Sequence, residues 1–141
     1  MLYSILIFGD ESHVAQWRPE EEQEVVDRHS RLRRELTAAG RLGPVMRLSP
    51  EGTKVVRRYK DRQVVTDGPY TETKEQLMGI YVIDCPSFED VLAATEQLRF
   101  DTGSFVIRPL VLLNPGVVEG RMQGSVPGCR PEGLVPGVPD R

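Results

Sequence analysis

The chain of 141 residues has only two cysteines, Cys85 and Cys129. They stand far apart in unlike contexts and make no Cys-x-x-Cys spacing, which excludes a thiolate metal set or a disulfide framework as the organising feature. Cys85 closes an apolar stretch and reads as a small buried residue. Such sparse cysteine fits a reducing cytoplasm. A surplus of positive charge is also missing. Lys and Arg number 18 against 21 Asp and Glu, a net charge of -3, which argues against a dedicated nucleic-acid binder. No apolar run approaches the roughly 20 residues of a membrane span. The opening MLYSILIF is apolar for only eight residues and has no basic leader, so it reads as a first strand rather than a signal peptide. There is no phosphate-binding glycine loop, no metal-ligand cluster and no Ser–His–Asp pattern, and GDES at 9–12 is too short to be a nucleophile elbow. No cofactor is implied.

What is present fits one domain. A chain of this size buries roughly two-thirds of its unfolded surface and needs no staple. Its charge is segregated. Residues 10–27 hold seven acids and one Arg, whereas residues 31–62 hold ten Lys or Arg and three acids. This reads as two solvated faces, or as an anion-attracting patch or complementary patches across a dimer. From Asn114 onward the composition changes. The last 28 residues hold five of the 11 prolines and six of the 13 glycines, and SVPG, LVPG and GVPDR repeat a Val-Pro theme suited to turns. Residues 1–113 are therefore expected to form the domain, and 114–141 a Pro/Gly-rich tail.

Within the domain, LYSILIF is a strand. The run from Arg18 to Gly40 is a helix, with Pro19 in its first turn, three glutamates opposing the positive end of its dipole, and Gly40 ending it. Val25, His29, Leu32, Leu36 and Ala39 form its inward stripe. LGPVMRL is a short strand, and TKVVRRY and RQVVTD make a hairpin around Lys60 and Asp61. LMGIYVIDC is the most apolar strand and the expected sheet centre. Ser87 caps a second helix with the stripe Phe88, Val91, Leu92, Thr95 and Leu98. SFVIRPLVLL is a last strand, and Pro109 places it on an edge or where pairing breaks. This order predicts an α+β fold: a ferredoxin-like split-βαβ sheet with an inserted β-hairpin and both helices on one face. The other face, with Ile80, Val82, Val106 or their neighbours, needs cover, and a second copy stacking sheet on sheet supplies it.

The segment DGPYTETKEQLMGIYVID, followed by VIRPL, resembles the YCII-related proteins in the subgroup named for its DGPF motif. YSILIFGDE at the start and LTAAGRL at the helix end extend the likeness over nearly all of residues 1–113. Tyr70 stands where Phe is usual, and Met78 where Gly is usual. The resemblance implies a dimeric α+β barrel. It implies enzymes acting on small organic molecules among the relatives, with a His–Asp pair whose His lies on the first long helix. It also implies a link to extracytoplasmic-function sigma factors through neighbouring genes.

Against that background five residues are candidates. Asp67 ends a strand before Gly68 and Pro69, and reads either as a turn cap or as a carboxylate facing a cleft. His29 lies on an apolar stripe, and reads either as a packed core group or, beside Asp67, as a base near pH 7. Tyr70 fills the barrel end or touches a ligand. Glu72 belongs to a charged turn or to the site. Arg108, inside a strand before Pro109, pairs with Asp67 or Glu72 or holds a ligand carboxylate bidentately. The expectation is a cytoplasmic homodimer that binds a small, anionic organic molecule, with lyase- or isomerase-like proton transfer at His29 and Asp67. The alternatives are an accessory protein of such a sigma factor and a non-catalytic dimer module.

Overall fold

The computed structural model describes residues 1–68, 74–118 and 120. Strand β1 (Leu2–Gly9) leads into a short helix α1 (Glu11–Val14) and the long helix α2 (Pro19–Ala38). Strand β2 (Leu42–Arg47), a hairpin of β3 (Lys54–Tyr59) and β4 (Arg62–Asp67), and strand β5 (Gln76–Asp84) follow. Helix α3 (Phe88–Gln97) and strand β6 (Ser104–Pro109) complete the order. Four strands form one sheet in the order β2-β5-β1-β6. Each neighbouring pair is antiparallel, the arrangement of a ferredoxin-like split βαβ. The apolar strand β5 is central as expected, and β6, carrying Pro109, is an edge.

Local chemistry sets the helix ends. Asp10 caps α1, accepting from the Ser12 and His13 amides at 3.0 and 3.3 Å and from the Ser12 hydroxyl at 2.6 Å. The GDES segment is thus a helix start. These hydrogen bonds hold the exposed Asp10 carboxyl below its usual range, the Ser12 hydroxyl contributing most. At α2 the Glu21 carboxylate accepts from the Arg18 amide at 2.9 Å, ahead of Pro19 in the first turn. Gly40, at φ +69°, closes α2. Its amide bonds the Thr37 carbonyl and the Arg41 amide bonds that of Leu36, the paired bonds of a Schellman end. Ser87 caps α3 by accepting from the Asp90 amide at 3.2 Å.

Both helices cover one face of the sheet. Tyr3, Ile5 and Ile7 of β1 and Tyr81 and Ile83 of β5 pack with Leu32 and Leu36 of α2 and with Val91 and Ala94 of α3 and Leu98 at its end. Two expected stripes are corrected here. Ala39 is exposed at the helix cap, and Phe88 and Leu92 are exposed, whereas Ala94 is buried. A small residue lets α3 approach the sheet closely, so the buried line runs 91, 94 and 98. The opposite face carries Leu6, Ile80, Val82, Met46 and Val106, by the strand register. Met46 and Val106 remain 44% and 43% exposed. The hairpin β3–β4 stands apart as its own two-stranded sheet, with Val56, Val65 and Tyr59 exposed.

Candidate functional site

The described part of the molecule gathers buried polar chemistry where α2 crosses β5. Tyr81 sits on the helix-facing side of β5, opposite Ile5 on β1 and Val45 on β2. It is 2% exposed. A phenol that deep needs a hydrogen-bond partner for its oxygen. Helix α2 supplies two from positions one turn apart. His29 Nδ1 lies 2.9 Å from Tyr81 Oη, and Arg33 Nη1 donates to the same oxygen at 3.3 Å. Residues spaced i, i+4 share a helix face, so His29 and Arg33 converge on one atom. The imidazole and phenol rings are tilted by 54° with centroids 5.7 Å apart.

A guanidinium only donates, so the Tyr81 oxygen accepts from Arg33. The Nδ1–Oη hydrogen bond forms with either neutral tautomer, the phenol donating to Nδ1 or accepting from its N–H. Burial, followed by the positive charges of Arg33, Arg47 and Arg28, pushes the His29 pKa from 6.5 down to about 3. The residue is only half-buried by surface exposure, yet the ring is surrounded densely enough for desolvation to dominate. His29 is therefore a neutral imidazole at pH 7, ringed by cations.

Those cations come from different elements. Arg47 ends β2, opposite Gly79 of β5. A Cβ at position 79 would come within 3.0 Å of the Met46 carbonyl and 4.0 Å of Arg47 Cα, so the glycine lets the edge strand lie close beside the site. Arg28 donates to the carbonyl of Arg99 beyond α3 and pairs with Glu24 at 3.1 Å, leaving its buried Nε without a partner. Arg33 forms no ion pair among the described residues. Its hydrogen bonds go to Tyr81 Oη and Ser30 Oγ, each at 3.3 Å.

The candidates named from sequence are distributed unevenly about this cluster. His29 is at its centre. Asp67 is at the end of the separate hairpin, with its side chain 84% exposed and ion-paired to Lys54 across the strands. No hydrogen bond joins His29 and Asp67 within the chain; each has another partner. Gly68 takes φ +90°, the positive φ that the turn reading of this segment assumed. Arg108 is exposed on edge strand β6, opposite Ser4, whose hydroxyl donates to its carbonyl at 3.0 Å. Among the described residues Arg108 pairs with no carboxylate, Asp67 included; the alternative pairing with Glu72 falls outside the described residues. Tyr70 and Glu72 lie outside the described residues, as do Cys129 and most of the tail. Among the described residues no group of three or more His, Cys, Asp or Glu could hold a metal ion, and no helix is long and apolar enough to cross a membrane.

Sequence reasoning missed Tyr81, Arg33 and Arg47. The signal that finds two of them is a tyrosine inside an apolar strand together with His and Arg at i, i+4 on the helix that covers it. In the chain a shallow open groove also runs along the first turns of α2, lined by Pro19, Glu20, Gln23, Glu24 and Asp27. Its acidic lining sets it apart from the cationic surroundings of His29.

Comparison with known proteins agrees with this architecture. The model of the YCII-related domain matches residues 1–114. An uncharacterised protein of Rhizobium meliloti (strain 1021) is 42% identical over 120 residues, covering 82% of this chain and 97% of that protein. With a family match across four-fifths of its length and a relative this close, the chain belongs to the YCII-related family.

Proposed function

We propose that this chain binds a small organic molecule at the His29–Tyr81 site and moves a proton there. The observation that carries the reading is the hydrogen bond between a fully buried tyrosine and a half-buried histidine on the facing helix. An imidazole placed where an apolar residue would pack better is costly unless it is used, and its protonation behaviour is set by partners on three elements. With Nδ1 engaged by Tyr81, Nε2 is the atom left to meet a ligand. In this reading Asp67 keeps its pairing with Lys54 and is not the partner that orients the ring; Tyr81 takes that role.

The reading includes a homodimer in a reducing compartment. Leu6, Ile80, Met46 and Val106 make an apolar sheet face with no helix over it among the described residues, and a second copy of the same face is self-complementary. Cys85, a free buried thiol, is compatible with reducing conditions.

A screen of small organic molecules against the protein, read by the ring signals of His29 in NMR spectra, tests the proposal. Ligands should perturb His29, and both His29→Gln and Tyr81→Phe should weaken their binding with the fold retained. Hits that leave His29 unmoved and bind both variants as well as the parent contradict it. The accessory-protein alternative makes a separate demand: capture of an extracytoplasmic-function sigma factor that is indifferent to His29→Gln.

A further inference from the structure

We infer that the β3–β4 hairpin is a docking arm that lies on the acidic flank of α2 in a second copy of this chain. The inference adds a contact to the homodimer proposed above and uses none of the residues around His29. Every residue from Lys54 to Asp67 except Val55 is exposed. A two-stranded hairpin by itself is marginal in water and is stabilised by packing on another surface. A ribbon meant only for solvent carries polar side chains on both faces. This one sets Val56 opposite Val65 on one face, 55% and 59% exposed, and Tyr59, 59% exposed, on the other. Side chains of that size left open on both faces mark a surface for association.

The charges indicate what it docks on. Residues 54–67 hold five cations and two acids. Lys54 pairs with Asp67 inside the hairpin. Arg58 and Arg62 pair with no carboxylate among the described residues. Arg58 follows Val56 on the same face, and Arg62 stands opposite Tyr59 on the other. Each face therefore joins an apolar group to an arginine. The complementary surface is the shallow groove on α2 lined by Pro19, Glu20, Gln23, Glu24 and Asp27. Its three acids recur at helical spacing and share one flank. Glu24 pairs with Arg28, and Glu20 pairs with no cation among the described residues.

Hairpin and groove of one chain share no hydrogen bond or ion pair among the described residues. Strands of six residues reach about 20 Å, beyond the roughly 10–12 Å width of a helix, so the arm is long enough to cross the flank of another chain. A two-fold axis lets each copy give its arm and receive its partner's. Duplex DNA would satisfy the arginines but leave Val56, Val65 and Tyr59 without apolar contact, and the net charge of -3 opposes its approach.

Sedimentation velocity of the full chain over a concentration series, in about 50 and about 500 mM NaCl, reads the association and its screening. Arg58→Glu with Arg62→Glu should weaken the dimer about tenfold or more at the lower salt, and Glu20→Lys with Asp27→Lys should do the same. The chain with all four changes should regain association, because the exchanged charges attract again, and that recovery shows that the altered surfaces still fold. High salt should weaken the parent and the fourfold variant alike. The inference is overturned if either twofold variant associates as tightly as the parent, or if the fourfold variant is no tighter than its halves. Labelled duplex DNA that binds the parent and not the hairpin variant, with self-association unchanged, assigns the arm to a polyanion and overturns it too. A monomeric parent overturns the arm and the sheet contact together. A charge exchange that works while Met46→Lys with Val106→Lys still dimerises keeps the arm and removes the sheet contact.

Discussion

Tyr81 and His29 meet at 2.9 Å across the interface of sheet and helix, and Arg33 closes on the same phenolic oxygen. One buried hydroxyl thus meets two groups from α2 and engages Nδ1 of the imidazole.

Removing that hydroxyl isolates its value. Tyr81→Phe keeps the ring and its packing but leaves His29 Nδ1 and Arg33 without their shared partner. The expected loss is about 1–3 kcal/mol in denaturant unfolding. A variant as stable as the parent would mean that water serves both groups equally well.

Acid should destabilise the fold through His29. Its folded pKa, about 3, lies below the value of 6.5 that an unperturbed imidazole has. The unfolded chain therefore binds more protons between those values, and the contribution is complete above pH 6.5 and is lost as pH falls toward 3. The slope is at most about 1.4 kcal/mol per pH unit for one group. Urea midpoints measured from pH 7 to 4 should fall less steeply in His29→Gln than in the parent. Parallel curves would assign the acid sensitivity to other groups.

Much of the frame was legible because the local signals and the burial pattern agree. Pro19, Gly40 and Ser87 mark helix ends where the backbone hydrogen bonds place them, and the apolar run at Leu77–Asp84 is the central strand. The stripe of α3 was misread because hydrophobicity ranks side chains by size. Packing selected the small Ala94 and left Phe88 and Leu92 outside. At the site, helical spacing turned His29 inward correctly but said nothing of what it meets. Tyr81 was hidden in an apolar strand, where alternation alone separates residues 79, 81 and 83 from their neighbours. Asp67 was ambiguous because a carboxylate beside a Gly-Pro turn has the same sequence in a cleft and on a solvated hairpin.

Gly9 is fixed by its neighbours. A Cβ there would lie 2.8 Å from Met78 Sδ and from two carbons of the Phe100 ring. Phe100 is held edge-on by Trp17 at 5.7 Å and by Phe105 at 6.0 Å, so it has little room to yield. Gly9→Ala should cost about 1–3 kcal/mol. Met78→Ala in the same chain should restore part of it, since the thioether is one of the two obstacles. Additive losses in the double variant would show that the two sites do not share the strain.

The apolar sheet face opposite the helices predicts association. Met46 and Val106 are already exposed in the single chain, so Met46→Lys and Val106→Lys should leave the monomer fold intact. Sedimentation velocity at micromolar concentration should report a dimer for the parent and a monomer for the double variant. A monomeric parent removes the second copy from the account.

The state of the His29 ring is the most direct test. Nitrogen-15 spectra of the two imidazoles, recorded from pH 8 down to 4, read both tautomer and charge. The account predicts that His29 stays neutral over most of this range, with Nδ1 hydrogen-bonded to Tyr81. A His29 that becomes charged near pH 6.5 would contradict it.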